Sequence, residues 1–177
     1  PEWEDLRTQV RNFIGNEVLY LEEDRANYDD HENIALSVLK EKRAAAKAVG
    51  LWAPQAPKDR GGLGLPVSAW ATFYEEANRS IFGPVIMNCA APDDGNINLL
   101  SKIGTDAQKD WFLQPVIDGE VRSSFAMTEP APGSGSDPSM MRTTAEKKGD
   151  KWLVNGHKWY ITLSLIHISE PTRPSLI

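Results

Sequence analysis

The stretch "MTEPAPGSGSD", from Met127 to Asp137, combines hydroxyl-bearing side chains with glycines and prolines. A loop of this kind exposes successive backbone N–H groups, which can form a concave nest for a phosphate or another acceptor-rich group. The hydroxyl and the amide of Thr128 could then address the polar edge of a planar ligand, and Ser134 and Ser136 could donate to a pyrophosphate. An ordinary turn without a ligand has the same composition, so the loop alone leaves both interpretations open.

The elements that precede this loop are helical in their pattern. In "EDLRTQVRNFIGNEVLYLEEDRA", apolar residues recur at steps of three and four, which indicates one apolar stripe on a helix. A second helix is predicted from Ile34 to Gly50, where the glycine serves as a C-terminal cap. Pro66 favours the first turn of a third helix, and "NINLLSKIG" is typical of a fourth.

A fifth helix is predicted from a capping box at its start. Thr105 is followed three residues later by Gln108, so each side chain can satisfy the backbone N–H of the other residue. Pro115 lies near the end of this helix, and we expect it to end the helix a turn early. Three tryptophans are predicted to lie in the core: Trp52, Trp70 and Trp111.

The pattern changes after "DGE", residues 118–120. Residues 121–128, "VRSSFAMT", are predicted as a strand, and "MRTTAEKKGDKWLVNGHKWYIT" alternates polar and apolar positions. Turn signals lie at Lys148–Asp150 and at Asn155-Gly156, and an Asn-Gly pair between two such runs is the strongest short-range hairpin signal. The predicted fold class is therefore α+β, with an all-α domain over 1–120 and the first strands of an antiparallel β-domain over 121–162.

Charge and composition exclude several classes of protein. The chain of 177 residues has a formal net charge of −6 and no Lys/Arg run, which argues against nucleic acid as a partner. No apolar stretch approaches the roughly 20 residues of a membrane span, and the charged segment "PEWEDLRTQV" does not resemble a secretory signal. Cys89 is the single cysteine, so an intrachain disulfide is excluded. We expect no metal site and a cytoplasmic location.

The neighbours of the loop in sequence carry a family resemblance. The block "FAMTEP…GSD" followed by "GDKWLVNGHKWYIT" resembles the flavin-binding signature of the acyl-CoA dehydrogenase family. Upstream, "GLWAPQAPKDRGGLGLP" is similar to the family's Pro…Gly-Gly-x-Gly loop, and "APDDGNINLLSKIGTDAQKDWFLQPVIDGE" to the helix pair before its β-domain. The resemblance covers residues 1–162, and it implies FAD as the cofactor and an acyl-CoA as the substrate.

The resemblance implies flavin contacts for two segments of the chain. It places Phe125, Met127 and Thr128 on the pyrimidine side of the flavin, with Met127 and Thr128 acting through backbone groups and the threonine hydroxyl. Tyr160 falls where many members of the family have a tryptophan against the flavin ring. Thr162 falls where a hydroxyl faces flavin N5.

The resemblance also implies roles for the serines of the loop. Ser136 would contact the FAD pyrophosphate, with the pantetheine arm of the acyl-CoA substrate beside it. "TEPAPGSGSD" is two residues longer than the family's common Thr-Glu-Pro-x-x-Gly-Ser-Asp spacing, so Ser134 and Ser136 are interchangeable in this role. Glu129 is implied to be architectural. Asp93 and Asp94 either face the substrate pocket or begin a helix.

The family reaction removes two hydrogens from Cα and Cβ of an acyl thioester, and a hydride passes to flavin N5. The general base lies in the family's C-terminal helical domain, which we expect to be absent, so we name no catalytic residue and expect an inactive chain. The complete protein is implied to be a homo-oligomer, and the sequence does not identify its electron acceptor. The alternatives are an acyl-CoA oxidase or a flavin monooxygenase on the same fold, or a helical interaction module without activity.

The residues after Thr162 follow neither a strand nor a turn pattern. Residues 163–173, "LSLIHISEPTR", resemble a translated transposase adapter from DNA library preparation, residue for residue. We therefore expect residues 163–177 to be a non-native tail that packs against nothing, and the natural sequence to be readable as far as Thr162. The alternative is a natural C-terminus.

Overall fold

The computed structural model describes residues 2–162, and the prediction for the tail lies outside them. The chain divides into two compact units, a helical unit over residues 1–122 and a second unit that begins at Ser123. The architecture is mostly helical with one two-stranded antiparallel sheet, which confirms the α+β fold class. Between residues 2 and 162, no helix is both long enough and apolar enough to cross a bilayer.

The helical unit consists of α-helices joined by short π-helical and 3-10 segments. The α-helices are α1 Glu4–Phe13, α2 Leu36–Ala48, α3 Val67–Ala77, α4 Gly83–Ile86, α5 Asp93–Ile103, α6 Asp106–Gln108 and α7 Gln114–Asp118. The π-helical segments are Ile14–Val18 and Lys109–Leu113, and the 3-10 segments are Leu19–Glu23, Arg25–Asn27 and Lys58–Arg60. The second π-helical segment links α6 and α7 into one continuous helical run.

The first predicted helix is α-helical for only part of its length. α1 ends at Phe13, and π-helical and 3-10 turns continue the path to Glu23. The apolar stripe is nevertheless buried as predicted, since Val10, Ile14 and Val18 have no exposed surface. Most of the stability of a helix in a protein comes from packing of its apolar face, and that face is kept here although the hydrogen-bond register changes.

Several predicted helix boundaries are confirmed. Gly50 lies two residues after the end of α2 with φ +72°, a left-handed conformation that suits glycine. Pro66 directly precedes α3, one position before the predicted first turn. Thr105 and Gln108 make both reciprocal hydrogen bonds of the predicted capping box before α6.

Pro115 does not shorten the last helical run, so that prediction is wrong. The run continues to Asp118, and Pro115 occupies the second position of α7. The hydrogen bonding changes from the π to the α pattern just before α7, which places the proline in a first turn. A first turn tolerates proline because the missing N–H has no intrahelical partner there.

Two apolar clusters form the core of the helical unit. The larger contains Phe73 of α3 and Ile14, neither of which has any exposed surface. The second contains Ile97 of α5, Ile117 of α7 and Trp52. The indole N–H of Trp52 donates to the carbonyl of Ile117 at 2.8 Å, so this tryptophan is a core residue as predicted.

The core prediction is wrong for Trp111 and only partly correct for Trp70, which is half-buried. Trp111 is 78% exposed, and Phe112 beside it is also exposed. Both belong to the π-helical segment that packs against α5, where Leu99 and Ile103 are exposed as well. The sequence pattern marked these residues as apolar but carried no information on which apolar side chains the unit leaves uncovered.

A buried carboxylate links α3 to α1 through an ion pair. Glu76 has 2% of its surface exposed and accepts hydrogen bonds from the guanidinium of Arg11 at 2.6 and 3.0 Å. Arg7 and Arg79 approach the same carboxylate at 3.7 and 3.6 Å. The hydrogen bonds from Arg11 hold the pKa of Glu76 below its ordinary value, so the carboxylate stays charged in the folded unit.

The sheet of the second unit is a single hairpin. β1 Thr144–Lys148 pairs with β2 Lys151–Asn155, and the two-residue connection begins at Gly149 with φ +62°. A positive φ at this position is typical of tight hairpin turns, so the predicted turn at Lys148–Asp150 is confirmed. Every residue of both strands is exposed.

Two strand predictions after residue 120 are wrong. Residues 121–128 form no strand. The carbonyl of Met127 accepts from two side chains, and that of Thr128 accepts from the amide of Trp159, instead of both joining a ladder. No hairpin forms at Asn155-Gly156 within the described residues, since the chain after β2 turns towards Thr128. Gly156 lies so close to Thr143 that an added Cβ would overlap its hydroxyl. The glycine therefore permits a close approach of two chain segments, and it does not serve a turn.

Candidate functional site

The carboxylate of Glu129 lies at the centre of the loop over residues 127–137, with 5% of the residue exposed. Its Oε1 accepts from the amide of Thr143 at 2.8 Å, from the hydroxyl of Thr143 at 2.5 Å and from the ammonium of Lys158 at 2.9 Å. Its Oε2 accepts from the amide of Arg142 at 2.7 Å. One side chain thus joins the loop to the residues before β1 and to the residues after β2.

These donors hold the pKa of Glu129 well below the ordinary value of a glutamate. The hydroxyl of Thr143 is the largest cause, followed by the amide of Arg142, and the ammonium of Lys158 contributes further. A general base needs a pKa near the working pH, so Glu129 is unsuited to that role. Its geometry agrees with the architectural role that the family resemblance implies.

Acid titration tests this arrangement. Because the folded-state pKa of Glu129 is lowered, its contribution to stability is complete above the ordinary glutamate pKa of about 4.3. The contribution is lost progressively as the pH falls from that value through the lower folded-state pKa. We expect the carboxyl ¹³C resonance of Glu129 to keep the shift of the charged form at a pH of about 4.3, where an ordinary glutamate is about half protonated. A carboxyl group that is half protonated there would contradict the arrangement.

Variants extend the same measurement. In Glu129→Gln the amide resonances of Arg142 and Thr143 are expected to move towards random-coil positions at every pH, because the charged acceptor is gone. Glu146→Gln, a matched change on the exposed strand β1, is expected to leave both resonances in place.

The two serines that were predicted as pyrophosphate contacts lie in different environments. Ser134 has no exposed surface, and its hydroxyl donates to the carbonyl of Met127 at 2.8 Å. Its carbonyl accepts from the amide of Glu129 at 2.7 Å. Ser136 is exposed. The hydroxyl of Ser134 therefore closes the loop on itself, whereas the hydroxyl of Ser136 is at the surface.

Met127 and Thr128 lie beside the chain that follows β2. The carbonyl of Met127 accepts from the ammonium of Lys158 at 2.9 Å, and the carbonyl of Thr128 accepts from the amide of Trp159 at 3.1 Å. Tyr160 is the next residue along the chain. The structure therefore brings together the two segments, far apart in sequence, from which flavin contacts were predicted.

The remaining candidates are at the surface of this unit. Phe125 is 54% exposed and Tyr160 is 82% exposed. Tyr160 has φ +52°, which is uncommon for a residue other than glycine, and its ring centroid lies 4.8 Å from that of Trp159. Thr162 is exposed at the end of the described residues. Flat rings and hydroxyls are thus available for contact with a planar ligand.

A charged cluster around a buried carboxylate in the helical unit was not predicted. Asp93 is the first residue of α5, which agrees with the helix-start interpretation, and it is 2% exposed and ion-paired with Arg122. Arg43 donates to the carbonyls of Val85 and Gly119 at 3.2 and 2.8 Å. Burial is the largest cause of a lowered pKa for Arg43, followed by the charge of Arg122. No local pattern pairs Asp93 with a residue so far along the chain, so this cluster could not be predicted from the sequence.

The groups at the surface of the second unit fit a flavin better than a metal ion. No set of three His, Cys, Asp or Glu side chains between residues 2 and 162 is placed to hold a metal. An isoalloxazine ring presents flat faces and one edge of hydrogen-bond acceptors and donors. Tyr160 supplies an exposed ring, and the amide N–H of Thr128 has no acceptor among the described residues. Ser136 supplies an exposed hydroxyl suited to a phosphate.

Comparison with known proteins assigns the chain to a family. The family model of the acyl-CoA dehydrogenase N-terminal domain matches residues 1–120, and that of the acyl-CoA dehydrogenase middle domain matches residues 124–168. The chain belongs to the acyl-CoA dehydrogenase family, as its motifs predicted.

Individual relatives agree with the family models. FadE2 of Mycobacterium tuberculosis, a probable acyl-CoA dehydrogenase, is 35% identical over 164 residues, which are 88% of this chain and 39% of that protein. A solved structure from Mycobacterium abscessus, provisionally named an acyl-CoA dehydrogenase, superposes with a TM-score of 0.75 and 34% identity over 91% of this chain and 42% of its own. An acyl-CoA dehydrogenase complexed with FAD from Bacillus anthracis gives a TM-score of 0.63 and 28% identity over 93% of this chain and 27% of its own. The chain therefore spans well under half the length of these relatives.

Proposed function

We propose that the chain supplies a helical domain, residues 1–120, and the first part of an FAD-binding β-domain, residues 121–162, to an acyl-CoA dehydrogenase. The observation that carries the proposal is the hydrogen bond from the amide of Trp159 to the carbonyl of Thr128, because it joins the two candidate flavin segments at one surface. The FAD complex of the Bacillus anthracis relative supports FAD as the cofactor. Membership of the family supports an acyl-CoA as the substrate.

FAD, when bound, supplies the redox chemistry by accepting a hydride equivalent from the acyl chain. The residues of this chain would bind and orient it. The amide N–H and the hydroxyl of Thr128 would donate to acceptors on the pyrimidine edge, which Phe125 and Met127 would also line. Tyr160 offers a flat face to the ring, and Thr162 offers a hydroxyl.

Of the two serines, Ser136 is the better candidate for the pyrophosphate and for the neighbouring pantetheine arm of the substrate. The hydroxyl of Ser134 is buried and donates to the carbonyl of Met127, so a phosphate would have to break that bond to reach it. The hydroxyl of Ser136 is exposed and can rotate towards a ligand.

We propose that the catalytic base lies outside this chain. Removal of the Cα proton needs an acceptor whose pKa is near the working pH. Glu129 and Glu76 are the buried glutamates among the described residues, and hydrogen bonds hold the pKa of each below its ordinary value. Neither carboxylate is therefore suited to accept the proton.

The complete gene product, amplified from the source DNA and continued beyond Thr162, provides the test. We expect it to purify yellow with bound flavin, and we expect an acyl-CoA to bleach the flavin absorbance under anaerobic conditions. Thr128→Ala removes one hydrogen-bonding hydroxyl and is expected to weaken FAD binding about 3- to 10-fold. Thr144→Ala, on exposed β1, is the matched control and is expected to change binding less than about twofold.

The possible failures of this test are distinct. A colourless protein that added FAD does not reconstitute would contradict the flavin site. A yellow protein whose flavin no acyl-CoA bleaches would contradict the dehydrogenase activity and leave the flavin site in place.

A further inference from the structure

Lys158 connects the two candidate flavin segments through its side chain. Its ammonium donates to the carbonyl of Met127 and to Oε1 of Glu129, both at 2.9 Å. The side chain of Lys158 is 20% exposed, and that of Glu129 is 4% exposed. Two of the three donors of the ammonium are thus used inside the unit, which distinguishes Lys158 from a solvated surface lysine.

The bond to Met127 fixes the direction of a peptide group. The carbonyl oxygen of Met127 accepts from Lys158 and from the hydroxyl of Ser134, so both of its lone pairs are engaged. The peptide bond between Met127 and Thr128 is trans, and the C=O and N–H of a planar trans peptide point in opposite directions. The amide N–H of Thr128 therefore points away from Lys158 and Ser134.

The residue after Lys158 completes a two-point attachment. The amide of Trp159 donates to the carbonyl of Thr128. Lys158 and Trp159, which are consecutive, thus donate to the carbonyls of two consecutive residues of the other segment. Residues 121–128 form no strand, and no sheet ladder fixes this peptide. Its orientation depends on the side chains of Lys158 and Ser134 and on this one backbone bond.

We propose that Lys158, held in place by Glu129, is a positioning residue for the flavin ring. It does not touch the ring itself. It fixes the peptide plane between Met127 and Thr128, so that the N–H of Thr128 is presented to the polar edge of the ring. This inference rests on the proposed function.

The test follows amide resonances of the ¹⁵N-labelled 177-residue chain during titration with FMN, which carries the isoalloxazine ring and one phosphate and is soluble at millimolar concentration. The amide resonance of Thr128 is expected to shift with FMN in the unmodified chain. In Lys158→Met this shift is expected to require about fivefold more FMN, which corresponds to the loss of about one hydrogen bond. Lys158→Arg keeps a cationic donor and is expected to retain the response within about twofold.

Lys151→Met is the matched control. Lys151 lies on exposed β2, and its replacement removes the same charge from the same unit. Its response to FMN is expected to equal that of the unmodified chain. A Lys158→Met chain with intact β-hairpin resonances and an unchanged Thr128 response would overturn the positioning role. The absence of any response near Thr128 in the unmodified chain would instead contradict the proposed flavin site.

A second variant applies if Lys158→Met loses the resonances of the hairpin. Ser134→Ala removes the other donor to the carbonyl of Met127 and leaves Lys158 in place. The Thr128 response is then expected to need about twofold more FMN, since one of the two bonds that orient the peptide is lost. An unchanged response in Ser134→Ala, together with a lost response in Lys158→Arg, would show that the orientation of this peptide does not govern flavin contact.

Discussion

Titration of FAD with the purified 177-residue chain is expected to show binding weaker than micromolar, roughly 100 µM or above, and no turnover of an acyl-CoA. Between Ser123 and Thr162 the second unit contains a single hairpin, whose strands are exposed along their whole length. A two-stranded hairpin is marginal in water, and its open edges are available for pairing with other chains. A ligand that binds to such a unit must also order it, and the free energy of this ordering weakens the binding.

Quenching of flavin fluorescence measures the affinity, and an acyl-CoA assay with an artificial electron acceptor measures the activity. The acyl-CoA dehydrogenase of Bacillus anthracis, whose solved structure contains FAD, is the positive control under the same conditions, and we expect it to bind FAD at least about a hundredfold more tightly. Stoichiometric binding at micromolar concentration by the 177-residue chain, or any turnover, would show that the essential residues lie in the part of the protein described above.

The loop illustrates what could be predicted from the sequence at the candidate site. Composition alone left a ligand site and an ordinary turn open for this loop, and only the family motif favoured a flavin site. The architectural role of Glu129 came from the same resemblance and stays a prediction, with which the lowered pKa of this carboxylate agrees. The separate environments of Ser134 and Ser136 did not follow, because the spacing alone left the two interchangeable. The difference arises because the hydroxyl of Ser134 donates to the carbonyl of Met127. A contact of this kind between loop residues leaves no periodic pattern in the sequence.

Lys158 was missed for a related reason. In the sequence it is a polar position in "NGHKWYIT", and alternation marks it only as a residue on the polar face of a strand. The position of its ammonium between Met127 and Glu129 arises because Gly156 packs against Thr143 and allows the chain to leave the sheet direction. The Asn-Gly pair was therefore predicted to form a hairpin turn, whereas its glycine permits a close contact with Thr143, thirteen positions earlier in the chain.

Predictions for the helical unit were more successful, because they rest on interactions within a few residues. The capping box at Thr105 and the glycine after α2 are local, and both were confirmed. The π-helical segment before α7 and the exposure of Trp111 depend on packing between segments. Periodicity shows that a helix has an apolar face, but it does not show which part of that face remains uncovered.

The helical unit is expected to lose a large share of its stability in Phe73→Ala. Phe73 lies in the larger core cluster with no exposed surface, and truncation of such a residue costs about 3–5 kcal/mol through lost burial and the cavity left behind. A domain has about 5–15 kcal/mol of total stability, so this change removes a large share of it. Urea denaturation followed by circular dichroism at 222 nm measures the effect, with an expected fall in midpoint of roughly 1.5–3 M.

Phe112→Ala is the matched control for this experiment. Phe112 has 46% of its surface exposed on the same unit, so its truncation removes less buried area and is expected to cost no more than about 1 kcal/mol. The amide resonances of Arg142 and Thr143 report on the second unit, and we expect them to keep their positions in Phe73→Ala because their donors and acceptors all lie beyond Ser123. Equal losses of stability in the two variants would place the core of the helical unit elsewhere. Loss of both amide resonances together with the helical signal would show that the two units fold as one cooperative body.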